Sequence, residues 1–234
     1  MVDLKKNITE VKNRIARAAE RCGRSPQEIT LVAVTKTIPV ERINEAIQLG
    51  IQHIGENRIQ EAREKLPKIQ DNVTRHFVGH LQRNKVKYAI KLFDMIQSVD
   101  SLALAEEINQ RCVNSGKKMP VLIEVNTSGE SSKYGCEPQE TLTLLQAIDR
   151  LPALSVQGFM TVALYSEDLE RVRPCFKLLK SLFDEAQNLP LKNADIKILS
   201  MGMSSDFEIA IEEGSTMVRI GTAIFGPREY AEIK

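Results

Sequence analysis

The chain has 234 residues, of which 42% are hydrophobic and 27% charged, the composition of an ordinary soluble protein with a sizeable core. Its formal net charge of +1 provides no long-range attraction to nucleic acid or to an anionic membrane, so we expect neither as a partner. No segment approaches the roughly 18 apolar residues of a membrane span, and the amino terminus lacks the apolar core of a signal peptide. We therefore expect a cytoplasmic protein.

The cysteines and histidines do not form a metal-binding pattern. The four cysteines are far apart and form no CxxC pair: Cys22, Cys112, Cys136 and Cys175. His76 and His80 are four residues apart, but no cysteine or carboxylate completes a ligand set around them. We predict reduced thiols and no metal site.

The first periodic pattern in the chain predicts a helix with one buried face. Apolar residues at helical spacing run from Leu4 to Cys22, and Gly23 ends the pattern. After this leading helix, short apolar strands alternate with amphipathic helices. The predicted strands are Thr30–Thr35, Gln52–Gly55, His76–Val78, Asp94–Ser98, Val121–Asn126, Ser155–Met160, Lys197–Ser200 and Met217–Ile220. The predicted helices are Val40–Leu49, Arg58–Ile69, Gln82–Leu92, Leu102–Asn114, Pro138–Arg150, Glu170–Gln187 and Asp206–Glu213.

Eight strands separated by seven helices, with a short helix after the last strand, match the count of a closed (β/α)8 TIM barrel. Right-handed crossovers leave a doubly wound sheet as the other natural outcome. No Pro/Gly/Ser-rich linker divides the chain, so we predict one α/β domain over residues 1–234, with an extra N-terminal helix. Pro174, inside the sixth of these helices, predicts a delayed start or a kink there.

The first core strand ends on a lysine. The apolar run that begins at Leu31 finishes at Lys36, and Pro39 prevents the strand from continuing. The carboxyl end of a strand is where barrel enzymes place their chemistry. A lysine with apolar neighbours there can act as an amine nucleophile towards a carbonyl. The alternative is a lysine that extends from the strand end into water.

The segments after strands seven and eight are rich in small and hydroxyl residues. Gly202 and Gly221 would allow close approach of a ligand to the backbone, and Ser204 and Thr222 precede the next helices. Two helix N-termini at this position form the recurring phosphate site of barrel enzymes. The alternative is two capped helices, and Ser205 with Glu208 resembles a capping box.

Arg219 lies one residue inside the end of the eighth strand, so it should point into the barrel. A buried arginine requires either an acidic neighbour or a ligand acceptor, and the spacing leaves both open. Lys36 opposite a phosphate site suggests a phosphorylated aldehyde or ketone held as a Schiff base. Pyridoxal phosphate and an aldolase-type sugar phosphate both fit this description.

Six motifs, in order and spanning essentially the whole chain, identify a family resemblance. They are Val32-Ala33-Val34-Thr35-Lys36, Gly55-Glu56-Asn57, His76-Phe77-Val78-Gly79-His80-Leu81-Gln82-Arg83-Asn84-Lys85, Gly158-Phe159-Met160-Thr161, Leu199-Ser200-Met201-Gly202-Met203-Ser204 and Val218-Arg219-Ile220-Gly221-Thr222-Ala223-Ile224-Phe225-Gly226. With these motifs the chain resembles the pyridoxal phosphate homeostasis protein family. That family is similar in fold to the barrel domain of alanine racemase and of eukaryotic-type ornithine decarboxylase.

The resemblance implies a monomeric, alanine racemase-like barrel that carries pyridoxal 5′-phosphate as an aldimine on Lys36. No settled enzymatic turnover is attributed to the family. Its proposed role is in vitamin B6 homeostasis, where it holds the cofactor and delivers it, with apo forms of pyridoxal phosphate enzymes as the implied recipients.

The resemblance also implies roles for individual residues of the site. Four would surround the phosphate: Ser200, Ser204, Gly221 and Thr222. Arg219 would face the pyridine nitrogen and, because arginine does not readily release a proton, keep that nitrogen unprotonated. Three residues at strand ends would contact the ring: Asn57, Asn126 and Met160. His80 would line the entrance, and Lys85 is either a second reactive lysine or a solvated lysine at a helix start.

Three functions fit a lysine opposite a phosphate site: a cofactor carrier, a racemase or decarboxylase acting on a small amino acid, and a sugar-phosphate aldolase. The full motif set disfavours the aldolase. Alanine racemase-like enzymes add a second domain that supplies a tyrosine base, whereas this chain ends just after the eighth unit. Its tyrosines do not lie in such a domain: Tyr88, Tyr134, Tyr165 and Tyr230. We therefore expect a carrier without dedicated catalysis.

Overall fold

The computed structural model describes residues 2–70 and 72–227. Eight parallel strands form a closed barrel in sequence order, which excludes the doubly wound sheet. The strands are β1 Thr30–Val34, β2 His53–Glu56, β3 Thr74–Phe77, β4 Met95–Val99, β5 Met119–Glu124, β6 Leu154–Met160, β7 Ile198–Ser200 and β8 Met217–Ile220. The predicted barrel is confirmed, and every strand end lies within two residues of its predicted position.

The helices surround the barrel. They are α1 Leu4–Arg21, α2 Val40–Gln48, α3 Ile59–Lys65, α4 Val86–Leu92, α5 Leu102–Ser115, α6 Thr141–Ile148, α7 Leu169–Gln187, α8 Phe207–Glu212 and α9 Thr222–Phe225. The Asp3 side chain caps α1 by accepting a hydrogen bond from the Lys6 amide at 3.0 Å. Pro174 lies within α7, which begins at Leu169, so the proline does not delay the helix. None of the helices in the described ranges is long and apolar enough to cross a membrane.

The capping box expected at the start of α8 was wrong. The N-cap residue is Asp206, and its carboxylate accepts a hydrogen bond from the Met203 amide at 2.5 Å. Ser205 is exposed and precedes this cap. Because the carboxylate binds the loop before the helix, the Ser204–Ser205 segment projects towards the barrel mouth instead of continuing α8.

Apolar side chains pack in two places: between the outer face of the strands and the helices, and inside the barrel. Outward residues such as Ala33, Ile54 and Phe77 are at most 1% exposed and belong to the main apolar core, which also includes the buried faces of the helices. Complete burial of a large aliphatic or aromatic side chain contributes about 1.5–3 kcal/mol. The barrel interior holds a separate small apolar cluster of Met95, Leu122 and Met160. The shell therefore provides most of the apolar burial.

Closure of the barrel places the first and last strands side by side. β1 pairs with β8 in a register that sets Val32 opposite Arg219. The carboxyl ends of both strands therefore reach the same point of the rim, where Lys36 follows β1 and Gly221 follows β8. The extra helix α1 packs on α8 and α9 outside this seam, with an ion pair of 2.8 Å between Arg14 and Glu208.

Candidate functional site

A cavity of about 520 Å³ opens at the carboxyl end of the barrel, beside the seam between β1 and β8. This volume lies within the roughly 300–1,000 Å³ range of small-molecule sites. Its lining is Val34, Lys36, Ile38, Tyr165, Met203, Ser204, Ser205, Arg219, Gly221, Thr222, Phe225 and Gly226. The structure thus brings together five of the nine predicted site residues: Lys36, Ser204, Arg219, Gly221 and Thr222. It places the other four outside this lining: Asn57, Asn126, Met160 and Ser200.

Lys36 is presented by a strained turn. Thr37, the next residue, has a φ of 65°, a left-handed conformation that β-branched residues rarely adopt. The Thr37 amide donates a hydrogen bond of 2.5 Å to Glu61 Oε1, which holds the turn in place. Strain of about 1–3 kcal/mol persists only where the surrounding structure maintains it. The backbone on the carboxyl side of Lys36 is therefore set by a contact with α3.

The backbone on the other side of Lys36 is held by the same group of charges. Lys65 Nζ donates to the Thr35 carbonyl at 2.6 Å and forms ion pairs with Glu56 at 2.7 Å and Glu61 at 2.9 Å. The Thr35 hydroxyl donates to Glu56 at 2.6 Å. Burial raises the pKa of Glu56, and Lys65 opposes that rise. One buried ammonium therefore fixes both neighbours of Lys36.

The loop after β7 and the start of α9 are joined at the edge of the cavity. The Ala223 amide, in α9, donates to Ser204 Oγ at 3.3 Å, which joins the loop after β7 to the start of α9. Gly221 and Thr222 line the same wall. The helices here are short, with six residues in α8 and four in α9, so the predicted helix dipoles are a minor contribution. The wall is instead made of hydroxyls and loop backbone.

Gly202 has a different role from the one expected. Its φ is +95°, and a Cβ atom there would lie 2.6 Å from the Ala210 Cβ and 2.8 Å from the Phe207 Cα. The glycine therefore allows the loop after β7 to pack against α8, and it does not line the cavity. Close ligand approach was the wrong explanation for this residue.

Arg219 is 4% exposed and forms hydrogen bonds with neutral oxygens. Nη1 donates to Ser200 Oγ and Nη2 to the Thr161 carbonyl, both at 2.7 Å. Within the described residues, no carboxylate oxygen lies in ion-pair distance of Arg219, although the charges of Glu124 and Asp206 act on it. Burial lowers the Arg219 pKa to about 10, so the side chain stays charged at neutral pH.

Ser200 and Met160 are buried in the barrel interior, outside the cavity lining. Ser200 is fully buried, and its hydroxyl bridges Arg219 and Gln97, with 2.7 Å to each. Met160 is fully buried in the interior cluster. Ser200 therefore contacts the arginine in this structure, and its predicted contact with phosphate stays a prediction.

The two asparagines differ in how their amides are used. Asn57 Oδ1 is buried and has no hydrogen-bond partner among the described residues. A Cβ at Gly79 would come within 2.3 Å of the Asn57 carbonyl, so glycine permits this approach. Asn126, by contrast, donates to the Glu130 carbonyl at 3.0 Å and accepts from Ser128 at 2.9 Å. Of the two side-chain oxygens, Asn126 Oδ1 accepts a hydrogen bond, and Asn57 Oδ1 does not accept one from any described residue.

His80 and Lys85 lie on the β3 side of the barrel and not in the cavity lining. The His80 ring stacks on Tyr134 with centroids 3.9 Å apart, and its Nδ1 is 3.5 Å from Asp100. Lys85 ends a 3-10 turn and is the N-cap residue of α4. Lys85 is therefore at a helix start, as both predictions for it have, but it is half-buried, and its role stays a prediction.

Several residues of the site were missed by the sequence analysis. Val34 was detectable, because two-residue alternation places it on the same strand face as Lys36. Tyr165 is 85% exposed and follows a loop with no periodic pattern, so no local signal indicated it. Glu124, at the end of β5, lies outside the cavity lining, but its charge acts on Arg219; it is 6% exposed, and burial raises its pKa to about 7. Tyr230 lies outside the described residues.

The family model described as "Alanine racemase, N-terminal domain" matches residues 7–229. A pyridoxal phosphate homeostasis protein of Aquifex aeolicus is 44% identical over 224 residues, which cover 95% of this chain and 97% of that protein. The solved structure of PipY from Synechococcus elongatus with pyridoxal phosphate bound has 32% identity and a TM-score of 0.79, covering 91% of this chain and all of that one.

An alanine racemase of Clostridium difficile shares the fold, with 19% identity and a TM-score of 0.71. The match covers 97% of this chain and 56% of the racemase. The match to the family model and the match to the Aquifex aeolicus protein extend over nearly the full length of the chain. The chain belongs to the pyridoxal phosphate homeostasis protein family, which has the alanine racemase N-terminal barrel.

Proposed function

We propose that this protein holds pyridoxal 5′-phosphate through Lys36 and releases it to apo enzymes, as a monomer in the cytoplasm. The observation that carries the proposal is the meeting of Lys36, Arg219, Ser204 and Thr222 in one cavity. The names of the relatives, and the cofactor in the PipY structure, support the same ligand.

The residues present fit this cofactor. When bound, it supplies an aldehyde with which primary amines condense. The Lys36 amine would form that bond and release the carbonyl oxygen as water. Ser204 and Thr222 would donate hydrogen bonds to the phosphate from the β7–β8 side of the cavity. Asn57 lies outside the cavity lining, but its buried Oδ1 has no partner among the described residues, and we propose that it would accept a hydrogen bond from the cofactor.

Arg219 favours holding the cofactor over chemistry on it. A guanidinium with a pKa of about 10 keeps its proton at neutral pH and can donate to the ring nitrogen. A ring nitrogen that accepts this hydrogen bond does not carry a proton of its own. The ring then stabilises carbanions poorly, which disfavours racemisation and decarboxylation.

One observation favours an amino-acid racemase or decarboxylase as a second candidate. Tyr165 lines the cavity with Lys36, and a second base is what racemisation requires. The side chain is, however, 85% exposed, whereas a catalytic base has to be held at a fixed position. We therefore regard the carrier as the better supported function.

The covalent attachment is tested by reconstituting the protein with pyridoxal phosphate, reducing it with borohydride and mapping the labelled peptide. We expect the label on Lys36 and its loss in Lys36→Ala, while Lys85→Ala, the matched control, labels as wild type. Lys36→Ala should still bind some cofactor through the hydroxyl wall. A label on Lys85 would refute the assignment.

The absence of dedicated catalysis is tested by α-proton exchange of single amino acids in deuterated water. Exchange at about 1 s⁻¹ or faster, the low end for ordinary enzymes, would contradict the carrier proposal. If Tyr165→Phe then abolished that exchange, the tyrosine would be identified as the base. Release is tested separately by transfer to an apo enzyme and the monomer by light scattering.

A further inference from the structure

A continuous line of polar side chains crosses the barrel interior. It starts at His53, the first residue of β2, whose Nδ1 is 3.0 Å from His76 Nε2 on β3. His76 Nδ1 is 2.9 Å from the Gln97 amide nitrogen on β4. The Gln97 amide oxygen accepts from Ser200 at 2.7 Å, and Ser200 accepts from Arg219 at 2.7 Å. We name these five residues the interior chain.

The interior chain joins the two ends of the barrel. His53 is half-buried and lines a separate cavity of about 330 Å³ at the amino end, together with Thr30 and Gln52. At the other end Arg219 lines the candidate site. Gln97, His76, Ser200 and Arg219 are each no more than 4% exposed, so water does not substitute for their mutual contacts.

The contacts assign one direction to every hydrogen bond. Ser200 accepts from Arg219, so its single hydrogen is available for the Gln97 oxygen. The Gln97 nitrogen then donates to His76 Nδ1 and approaches the Met217 sulfur at 3.1 Å. His76 must therefore carry its hydrogen on Nε2 and donate it to His53 Nδ1. A flipped amide would deprive the Ser200 hydrogen of this acceptor.

Both histidines have to be neutral for this arrangement, since His76 donates at Nε2 and accepts at Nδ1, while His53 accepts at Nδ1. Burial lowers the pKa of His76 to about 3 and also lowers the pKa of His53. At neutral pH the interior chain is therefore uncharged up to its final member, Arg219.

We propose that Gln97 is a positioning residue for Arg219. By holding the Ser200 hydroxyl in one orientation, it keeps the Ser200 oxygen directed at Nη1, and His76 and His53 keep the Gln97 amide from turning. No carboxylate lies within ion-pair distance of Arg219 in the described ranges, so two neutral contacts hold the guanidinium: the Thr161 carbonyl on Nη2, and Ser200 on Nη1, which Gln97 orients. The inference rests on the proposed function for one point: that Arg219 donates to the cofactor ring nitrogen.

The first experiment uses cofactor-free protein and nitrogen-15 NMR. In wild type we expect both His53 and His76 to carry hydrogen on Nε2, and the Nη protons of Arg219 to exchange slowly. In Gln97→Leu we expect mixed tautomers and exchange faster by about tenfold, because one hydrogen bond is lost on each side of residue 97. Met95→Leu, a change on the same inner face, should leave both signals as in wild type. Histidines protonated at Nδ1 in wild type, or slow exchange retained in Gln97→Leu, would refute the proposal.

The second experiment compares pyridoxal phosphate with an analogue that has carbon in place of the ring nitrogen. We expect Gln97→Leu to weaken binding of pyridoxal phosphate about tenfold and to leave binding of the analogue unchanged. If Gln97→Leu weakened the binding of both ligands equally, Gln97 would act only on the stability of the barrel, and the positioning role would be refuted. If wild type binds the two ligands equally, the proposed role of Arg219 fails, while the NMR result still decides the interior chain.

Discussion

The two sides of the cavity are built on different physical principles. On the β1–β2 rim, formed by Lys36, Thr37 and their supports Glu56, Glu61 and Lys65, buried charges fix a strained turn. On the β7–β8 rim, formed by the segments Gly202–Ser205 and Gly221–Ala223, small residues and hydroxyls shape a wall without any ion pair among its own side chains. A covalent attachment point requires one fixed atom, whereas a phosphate can be held by several adaptable donors.

The largest effect should come from breaking the β1–β2 rim at Lys65. Lys65→Met leaves Glu56 and Glu61 without their cation, and loss of one partner of a buried pair costs about 3–5 kcal/mol. We expect a loss of that order in urea unfolding, together with slower borohydride trapping on Lys36. The exposed Lys68→Met is the matched control. Equal stability of the two variants would show that the rim does not depend on Lys65.

Measuring stability against pH compares two buried carboxylates. Glu56 forms an ion pair with Lys65, whereas Glu124 forms no ion pair among the described residues. The pKa of Glu124 is raised from 4.5 to about 7, mainly by burial. As pH rises, Glu124 therefore loses its proton at a lower pH in the unfolded chain than in the folded protein. Glu124 should therefore contribute a loss of stability as pH rises from about 4.5 to about 7, by at most about 1.4 kcal/mol per unit, and no further loss above that. The lowered pKa values of His76 and His53 act in the opposite direction below about 6.5, so the loss is isolated by comparison with a variant at Glu124.

The variant Glu124→Gln removes this titration. Its stability relative to wild type should therefore increase over the same pH window and then level off, as measured by urea unfolding at each pH. Parallel pH curves for the two proteins would mean that Glu124 is ionised in the folded state throughout.

The smallest effect should come from the β7–β8 rim. If Ser204 and Thr222 hold the phosphate as we propose, Ser204→Ala and Thr222→Ala would each remove one charge-assisted hydrogen bond, so each should raise the dissociation constant about tenfold. The exposure of Thr222 predicts almost no change in its unfolding free energy. Dissociation is measured at matched salt, with Ser166→Ala, in a loop outside the cavity lining, as the control. Unchanged retention in both variants would place the phosphate elsewhere.

The sequence was sufficient to predict the order of the strands and the cavity-lining residues that follow β1 and β8. Lys36 and Thr222 were found because each follows an apolar run that could only be a buried strand. The sequence was not sufficient for Gly202, whose positive φ serves packing on α8, nor for Lys65. A lysine on a charged helix has the same local pattern whether it is solvated or, as here, has a side chain only 12% exposed.

Periodicity, turn residues and motif order determined that this chain is an eight-stranded barrel with a lysine at the first strand end, because burial on one face repeats locally along the chain. Only the tertiary structure decided what Arg219 and Ser200 contact. Gln97 and Ser200 are 103 residues apart and meet because the barrel closes. Hydrogen bonds of this kind depend on the inward direction of side chains from opposite strands, and no local pattern encodes that distance.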